Sequence, residues 1–251
     1  MDIFSHALAL EPLALKLTKH VDLDSADRAA IFALPCIVKR MERHQYIVRE
    51  RELATHSGVM LSGYSIRSKL VAGGGRQILA IHMAGDAVDL QNSILKVADH
   101  SVQMLTWGEV ALIPRKEVIR LALKRPQVGL AMWWDTLVDA SKFQEWIANV
   151  GRRDARTRVA HILCEFSLCS KVAGLGGGNH YELPMTQEQL ADTTGLSAVH
   201  VNRTLKSLEA DGLIHRDSPR SIHIGDWRNL AEAGDFDSTY LHLNRDEPAL
   251  V

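Results

Sequence analysis

The sequence has little cysteine, with Cys36, Cys164 and Cys169 the only three in 251 residues. A small, odd number of cysteines excludes a disulfide framework and favours a reducing compartment. The amino terminus carries an acid, Asp2, where a secretory signal would carry basic residues. The apolar run over 128–134 is far shorter than the ~20 residues of a membrane span. We therefore expect a cytoplasmic protein with no membrane partner.

Net charge is nearly absent as well, because 29 lysines and arginines face 30 aspartates and glutamates. A net charge of -1 excludes a protein that coats nucleic acid through bulk charge. It leaves room for a local DNA-reading surface, since charge can be segregated along a chain. The hydrophobic content of 46% excludes wholesale disorder, and the length favours two domains.

The first half of the chain changes from a helical to a strand pattern. Leucines spaced over 8–17 predict a first helix, and 22–24 followed by 28–37 predicts a second. From His44 onward, short alternating segments and glycine turns predict a small all-β barrel or sandwich. The predicted strands are 46–48, 59–70, 77–83, 102–106 and 110–113, with turns at Ser57-Gly58 and at 73–75.

A long helix without internal proline is predicted over 127–150. Leu130, Trp134, Leu137 and Ser141 lie along one stripe of it, which packs either on its own β domain or on a copy of itself. A further helix is predicted over 152–168, with Val159, Ile162, Leu163 and Phe166 buried. A glycine-rich break at 174–178 follows.

The most specific local pattern lies between Pro184 and Ile214. Thr186 and Gln189 form a capping box for a short helix, Gly195 makes a tight turn, and Ser197 caps a second helix that runs to about Ala210. Val201, Leu205 and Leu208 form the core face of that helix, above Leu190 and Leu196. Alternating segments at 213–216 and 221–224 predict a β-hairpin wing. The arrangement is that of a helix-turn-helix, whereas the alternative is a scaffold hairpin with a solvated outer face.

The outer face of the second helix has the chemistry to read double-stranded DNA in the major groove. Arg203 matches guanine O6 and N7, Asn202 matches an adenine edge, and Val199 and Ala198 offer methyl groups to thymine. Phosphate contacts, which position the helix, are predicted for Lys206, His200, Thr204 and Arg220.

Residues 185–214 resemble the winged helix-turn-helix of Crp/Fnr-type transcription regulators. Residues 73–90 resemble the β-roll of that family, ending in its Pro-Gly-Asp/Glu turn with Ala84 in place of proline, and 110–115 resembles the strand that leads to its dimerisation helix. The resemblance implies an α+β chain: a double-stranded β-helix (jelly-roll) effector domain over 1–125, a dimerisation helix over 126–150, and a winged helix-turn-helix domain with an acidic tail over 151–251.

The resemblance also implies a homodimer on a near-palindromic operator, with RNA polymerase as a partner and no enzymatic activity. The expected dimer contacts are Leu130, Trp133 or Trp134, and Leu137. Arg203 matches the guanine-reading arginine of the family and Ser197 its helix cap. The usual glutamate of the family falls on Val199, which cannot accept a cytosine amino hydrogen, so the half-site is expected to differ.

The sensing half departs further from the family. Gly85 and Asp86 keep part of the ribose-binding Gly-Glu, but the phosphate-binding arginine falls on Ala98, next to Asp99 and His100. This argues against cyclic AMP, and the lone Cys36 argues against an amino-terminal iron–sulfur cluster. Gly85, Asp86, Asp99 and His100 are the candidate effector pocket, for an unidentified small-molecule or redox effector. The alternative is a β-roll without ligand that acts as a protein-interaction module.

Two further groups of residues have side chains that can bind a metal or react. His161, Cys164 and Cys169 lie near one face of a helix. They could bind a metal or respond to oxidation, but we expect them to be core residues. His82 and His100 are the two histidines nearest the expected pocket. Neither glycine run has the Lys-Ser/Thr of a phosphate loop.

Overall fold

The computed structural model describes residues 9–176 and 179–243. The described residues divide into two compact units, the first made of 9–69 and 80–140, the second of 70–79 and 141–243. The predicted domain limits at residues 125 and 150 stay predictions. In the described ranges, no helix combines the length and the apolar character needed to cross a membrane.

The first unit is built around two antiparallel sheets flanked by helices. One sheet has the strand order β1-β7-β3 and the other β2-β6-β4-β5. The elements of the first half of the chain are α1 (Glu11–His20), α2 (Ser25–Phe32), β1 (Ile37–Met41), β2 (Tyr46–Val48), β3 (His56–Met60), β4 (Ser65–Leu70), β5 (Arg76–His82), α3 (Asn92–Leu95), β6 (Ser101–Met104), β7 (Gly108–Pro114) and α4 (Arg115–Lys124). The end of β4 and residues 76–79 of β5 are grouped with the second unit. The predicted β-rich domain of the first half is therefore present as two antiparallel sheets.

Three details of the predicted first half are wrong. The second helix ends at Phe32 rather than near Ile37, because Pro35 cannot continue a helix, and Ile37 begins β1 instead. The predicted turn at Ser57-Gly58 lies inside β3. The predicted strand 59–70 is two strands separated by Gly63, whose φ of +74° favours glycine and whose missing side chain admits the Trp107 carbonyl.

Two apolar clusters form the core of this unit. Buried side chains of α1 and α2, including Leu13, Leu17 and Ile31, pack with Ile113 of β7 and with Val128. A second cluster includes Met60, Val102, Met104 and Val110 from strands of both sheets. The amino-terminal helices are therefore part of the core of the unit.

The second unit is mainly helical and carries a small sheet of order β8-β10-β9. The long helix α5 (Pro126–Arg152) crosses from the first unit into the second. The remaining elements are α6 (Ala155–Val172), β8 (His180–Glu182), α7 (Gln187–Thr194), α8 (Ala198–Ala210), β9 (Ile214–His215), β10 (Ser221–Ile224), α9 (Trp227–Ala233) and a 3₁₀ turn (Ser238–Leu241).

The predicted core of α6 is confirmed, since Val159, Ile162, Leu163 and Phe166 are all buried. Asp154 caps this helix by accepting a hydrogen bond from the Thr157 amide. Of the predicted glycine break, residues 177–178 lie outside the described residues, as do residues 244–251 of the acidic tail.

Candidate nucleic-acid interface

The frame of the candidate interface is set by local hydrogen bonds at two helix starts. At α7 the Gln189 amide donates to Thr186 Oγ1 over 3.2 Å, and the Thr186 amide donates to Gln189 Oε1 over 2.9 Å. At α8 the His200 amide donates to Ser197 Oγ. The predicted capping box and serine cap are both confirmed, and each satisfies amides that the first helical turn leaves without partners.

The turn between the two helices requires glycine. Gly195 has a φ of +66°, and a Cβ there would lie 2.7 Å from Val150 Cγ1. A side chain would therefore meet both backbone strain and a packed neighbour. The glycine turn fixes the angle at which α8 leaves α7.

One face of α8 is buried and the opposite face is open. Val201, Leu205 and Leu208 are buried, as predicted for the core face, whereas Val199 is 81% exposed. Arg203 and Lys206 are exposed, and neither side chain forms an ion pair or a hydrogen bond with any of the described residues. A guanidinium and an ammonium on one helix face are the groups that bind guanine edges and phosphates.

Two predicted contacts on α8 need correction or refinement. Thr204 is buried with the core face, so its hydroxyl is not placed for a phosphate. Asn202 Nδ2 donates to Gln187 Oε1 on α7 over 3.0 Å. This bond fixes the orientation of the Asn202 amide, and it adds Gln187 to the site. The one-turn periodicity of α8 could not reveal Gln187, because it lies on a different helix.

The predicted wing is present with an added strand. His223 of β10 pairs with His215 of β9 and with His180 of β8, and β8 was not predicted. Arg216 Nη2 donates a hydrogen bond to Glu209 Oε2 of α8 over 2.5 Å. This contact holds the wing against α8. Arg220 lies just before β10, and its backbone carbonyl accepts a hydrogen bond from the Leu183 amide.

The far end of α8 is held by a residue that sequence reasoning missed. Arg156, in the first turn of α6, donates to Ser207 Oγ over 2.7 Å and pairs with Asp211 at 2.6 Å. Both ends of α8 are thus fixed, at Ser197 by the cap and at Asp211 by this arginine. A helix held at both ends presents its open face in a defined orientation.

Of the candidate effector residues, Gly85 and Asp86 lie against α1. A Cβ on Gly85 would come within 2.9 Å of the Pro12 carbonyl oxygen. Lys16 Nζ lies 2.8 Å from Asp86 Oδ1 and 2.6 Å from Asp135 Oδ1 of α5. Asp86 therefore already has an internal cation as its partner.

Asp99 and His100 form a separate pair, with 2.6 Å between Asp99 Oδ1 and His100 Nδ1. The hydrogen bond with His100 lowers the pKa of Asp99. Burial, together with the charge of Arg67, lowers the pKa of His100 and so favours its neutral form. Asp86 is thus paired with Lys16, whereas Asp99 is paired with His100. That Gly85, Asp86, Asp99 and His100 form one effector pocket stays a prediction.

The α5 residues predicted to form a dimer seam have different surroundings. Leu130, Trp133 and Leu137 are 41%, 64% and 52% exposed. Trp134 instead stacks on His20, with 6.1 Å between ring centroids. Of the two tryptophans left open by the sequence, Trp133 is the one that faces outward.

Of the His161, Cys164 and Cys169 group, His161 and Cys164 are buried, as expected of core residues, whereas Cys169 is only partly buried. His161 is fully buried, with Nδ1 3.1 Å from the Gly234 carbonyl and Nε2 3.1 Å from Tyr240 Oη. Burial raises the pKa of the Cys164 thiol to about 12. Within the described ranges, no group of three or more His, Cys, Asp or Glu side chains could hold a metal ion.

Comparison with known proteins places these features in context. Residues 157–233 match the Crp-like helix-turn-helix domain. The chain is 30% identical over 166 residues to the transcriptional activatory protein AadR of Rhodopseudomonas palustris, covering 66% of this chain and 68% of that protein. It is 27% identical over 180 residues to the transcriptional activator protein FnrL of Cereibacter sphaeroides, covering 70% and 72% of the two chains. The solved structure of FixK2 from Bradyrhizobium japonicum superposes with a TM-score of 0.73 at 23% identity, covering 86% of this chain and 100% of that one.

Proposed function

This chain belongs to the Crp/Fnr family of transcription regulators, and from that premise we propose that it works as a homodimer that reads a near-palindromic operator through α8. DNA binding is the shared function of the family, whereas the dimer, the operator symmetry and contact with RNA polymerase are our proposals. As a regulator of this kind it would work in the cytoplasm, by binding DNA rather than by catalysis. The carrying observation is the open face of α8, with Arg203 and Lys206 exposed between two fixed helix ends.

We expect some residues on this face to contact base edges and others to contact phosphates. Arg203 would read guanine with its planar fork, and Asn202, oriented by Gln187, would read an adenine edge. Val199, 81% exposed, together with Ala198, would contact a thymine methyl. Ser197 sets the start of the helix, while His200, Lys206 and Arg220 would hold phosphates without reading sequence.

A pair of alanine variants tests this division. Arg203→Ala should cost ~1–3 kcal/mol of operator binding and relax base choice at one position of each half-site. Lys206→Ala should weaken binding to all sequences alike. The measurement is a competition binding assay with single-base operator variants, after footprinting has shown two half-sites about 34 Å apart.

The control is Lys124→Ala, an exposed lysine of α4 outside the interface. The proposal fails if the wild-type chain shows no sequence preference at low salt. It also fails if Arg203→Ala and Lys206→Ala lower all affinities in the same proportion.

The homodimer proposal is supported by the exposed apolar residues of α5. Leu130, Trp133 and Leu137 are spaced by three and four, the spacing of helices that pair side by side. Contiguous exposed apolar side chains on a helix mark a protein contact. Leu137→Glu should shift the chain toward monomer in sedimentation velocity and weaken operator binding, while Leu123→Glu, on the equally open α4, should leave the mass unchanged. A monomeric wild-type chain that still protects two half-sites would contradict the dimer.

Control by a small-molecule or redox effector is the remaining part of the proposal. The alternative, a sensor unit that acts as a protein-interaction module without a ligand, is favoured by the internal pairing of Asp86 with Lys16. A thermal-shift screen separates the two, because a ligand that binds only the folded chain raises its melting temperature. A domain organisation of 1–125, 126–150 and 151–251 would assign sensing, pairing and reading to successive segments.

A further inference from the structure

The segment 234–243, here called the strap, follows α9 and packs on α6; it lies beyond the residues that match the helix-turn-helix domain. Its first residue, Gly234, lies against the backbone of α6, because a Cβ there would lie 2.8 Å from the His161 backbone nitrogen. The Phe236 ring meets the His161 ring edge-on, with 5.2 Å between centroids, and Leu241 is buried. The strap is therefore packed closely on α6.

Three polar side chains, here called the relay, join the strap to α6. Tyr240 Oη lies 2.6 Å from Glu165 Oε2 and 3.1 Å from His161 Nε2. On the far side of its ring, His161 Nδ1 lies 3.1 Å from the Gly234 carbonyl oxygen. Trp146 Nε1 of α5 donates to the same Glu165 oxygen over 2.9 Å. Both α6 side chains are buried, so water competes little for these hydrogen bonds.

The relay completes its hydrogen bonds only by binding one added proton. The Gly234 carbonyl can only accept, so it holds the proton of a neutral His161 on Nδ1 and leaves Nε2 as an acceptor. An ionised Glu165 is an acceptor as well, and the single Tyr240 hydroxyl proton cannot serve both. A proton added to His161 lets Nε2 donate to Tyr240. A proton added to Glu165 lets the acid donate to Tyr240, whose own proton then turns to His161.

Charged groups face the relay from each element packed on it. Glu145 Oε1 of α5 lies 3.8 Å from His161 Nε2 and favours the charged imidazole, whereas Arg153 opposes it. Cys169 of α6 faces the relay, and Asp235 of the strap pairs with Arg153. Burial outweighs the nearby carboxylates and lowers the pKa of His161, which favours its neutral form. Acidification is therefore needed to add a proton to the imidazole.

A chain of hydrogen bonds links the strap to the turn before α8. Arg153, between α5 and α6, donates to Asp235 Oδ2 over 2.9 Å and to the Asp235 carbonyl over 3.1 Å. Arg158 Nε donates to the Arg153 carbonyl over 2.8 Å, and its Nη1 donates to the Thr194 carbonyl over 3.2 Å. Thr194 is the last residue of α7, directly before the Gly195 turn. The strap is thus connected to the turn that fixes the angle of α8.

We propose that the strap is a proton-linked positioning element for α8: one proton taken up by the relay as the pH falls tightens the strap on α6 and strengthens operator binding. The operator part of this inference rests on the proposed function, whereas proton uptake is a property of the folded chain alone. Because linkage is reciprocal, operator binding should in turn promote proton uptake.

Proton uptake is tested with Tyr240→Phe, which removes the hydroxyl between the two acceptors. The unfolding equilibrium constant of this variant, divided by that of the wild type, should grow about fivefold from about pH 8 to about pH 5 in urea denaturation. The sign follows because the wild-type fold gains a hydrogen bond with the proton and the variant does not, so the wild type is favoured at the lower pH.

Tyr181→Phe is the matched control. The Tyr181 hydroxyl is also buried against α6, but it donates to the backbone carbonyl of Leu163, which does not titrate. The ratio of unfolding constants for this variant should therefore be the same at both pH values.

Operator binding is measured for the same three chains at the same two pH values. His200 and other titrating groups near DNA are present in every chain, so their contribution cancels when each Kd is divided by that of the wild type. Tyr240→Phe should weaken operator binding about fivefold near pH 5 and less than twofold near pH 8. Tyr181→Phe should change the Kd by one and the same factor at both.

The wild-type chain supplies the decisive readout if Tyr240→Phe does not fold. Carbon and nitrogen NMR of the His161 ring and the Glu165 carboxyl should show an imidazole protonated on Nδ1 near pH 8. By about pH 5 the two side chains together should have gained one proton.

The inference is overturned if neither side chain gains a proton over this range, or if the unfolding ratio of Tyr240→Phe does not change with pH. Proton uptake that leaves the Kd ratio of Tyr240→Phe constant would overturn the positioning of α8. A chain that binds no operator at either pH would contradict the proposed function, and the NMR and unfolding measurements would still decide whether the strap is proton-linked.

Discussion

Replacing Lys16 with methionine removes the cation that holds two carboxylates of the first unit. Lys16 Nζ lies 2.8 Å from Asp86 and 2.6 Å from Asp135, and the Asp135 side chain is only 4% exposed. Removing one partner of a buried ion pair costs ~3–5 kcal/mol. The Lys16 and Asp86 side chains are 28% and 17% exposed, so water screens part of the loss. We expect the free energy of unfolding to fall by about 3 kcal/mol near pH 7.

The pH dependence of this loss follows from the carboxyl pKa values. In the wild-type chain burial opposes ionisation of Asp135, but the Lys16 charge and the neighbouring His20 outweigh it and lower the pKa to about 2. A lowered carboxyl pKa stabilises the fold above the unfolded pKa of about 3.9, and this contribution is lost as the pH falls through about 2. Without Lys16 the buried Asp135 carboxylate binds a proton more readily, so the variant should regain stability relative to the wild type as the pH falls from about 7 to about 4.

Urea denaturation of both chains, followed by circular dichroism near pH 7 and near pH 4, measures the difference. Lys124→Met provides the control, because Lys124 is an exposed lysine of the same unit. The reasoning is refuted if Lys16→Met costs less than about 1 kcal/mol near pH 7, the range of a surface pair. It is equally refuted if the cost stays constant on acidification, because the loss would then come from packing rather than from charge.

Three further predictions concern the second unit. Gly195→Ala should cost ~1–3 kcal/mol of unfolding free energy in urea denaturation, since φ is +66° and a Cβ would lie 2.7 Å from Val150 Cγ1; an unchanged midpoint would contradict this. Tyr240→Phe should cost ~1–2 kcal/mol in the same assay, because the Tyr240 hydroxyl donates to Glu165 over 2.6 Å, and a stabilised variant would refute that role. Cys164, whose thiol pKa burial raises to about 12, should react with a thiol reagent only on unfolding; rapid labelling of the native chain, located by mass spectrometry, would show that it is accessible.

The sequence predicted best where the determining contacts are local. The capping box at Thr186, the glycine at 195 and the serine cap at 197 act within a few residues, so their pattern alone indicated the helix-turn-helix. The core face of α8 followed from helical periodicity for the same reason. The β-roll was recognised from its turns, although the strand boundaries around Ser57-Gly58 were wrong, because strand pairing depends on distant partners.

Contacts between residues far apart along the chain were the part that sequence reasoning missed. The pairing of Lys16 with Asp86 joins positions 70 residues apart, and nothing in the local pattern of α1 marks it. The same holds for Arg156 at the end of α8 and for Gln187 beside Asn202. In each case the sequence supplied the polar residue, but only the fold supplied its partner.

The internal pairing of charges explains how a chain of net charge -1 serves as a DNA-binding protein. In the second unit Arg153 pairs with Glu145 and Asp235, Arg156 with Asp211, and Arg216 with Glu209. These arginines stabilise the fold of the second unit. Because each is paired with a carboxylate, they contribute little net electric field toward DNA. We propose that Arg203 and Lys206, on the open face of α8, are among the few cations whose charge reaches DNA. Each phosphate contact contributes about 0.9 to the slope of the logarithm of the binding constant against the logarithm of the salt concentration. With so few contacts, we expect DNA binding to depend only modestly on salt. Short-range contacts to base edges must then supply most of the preference for the operator.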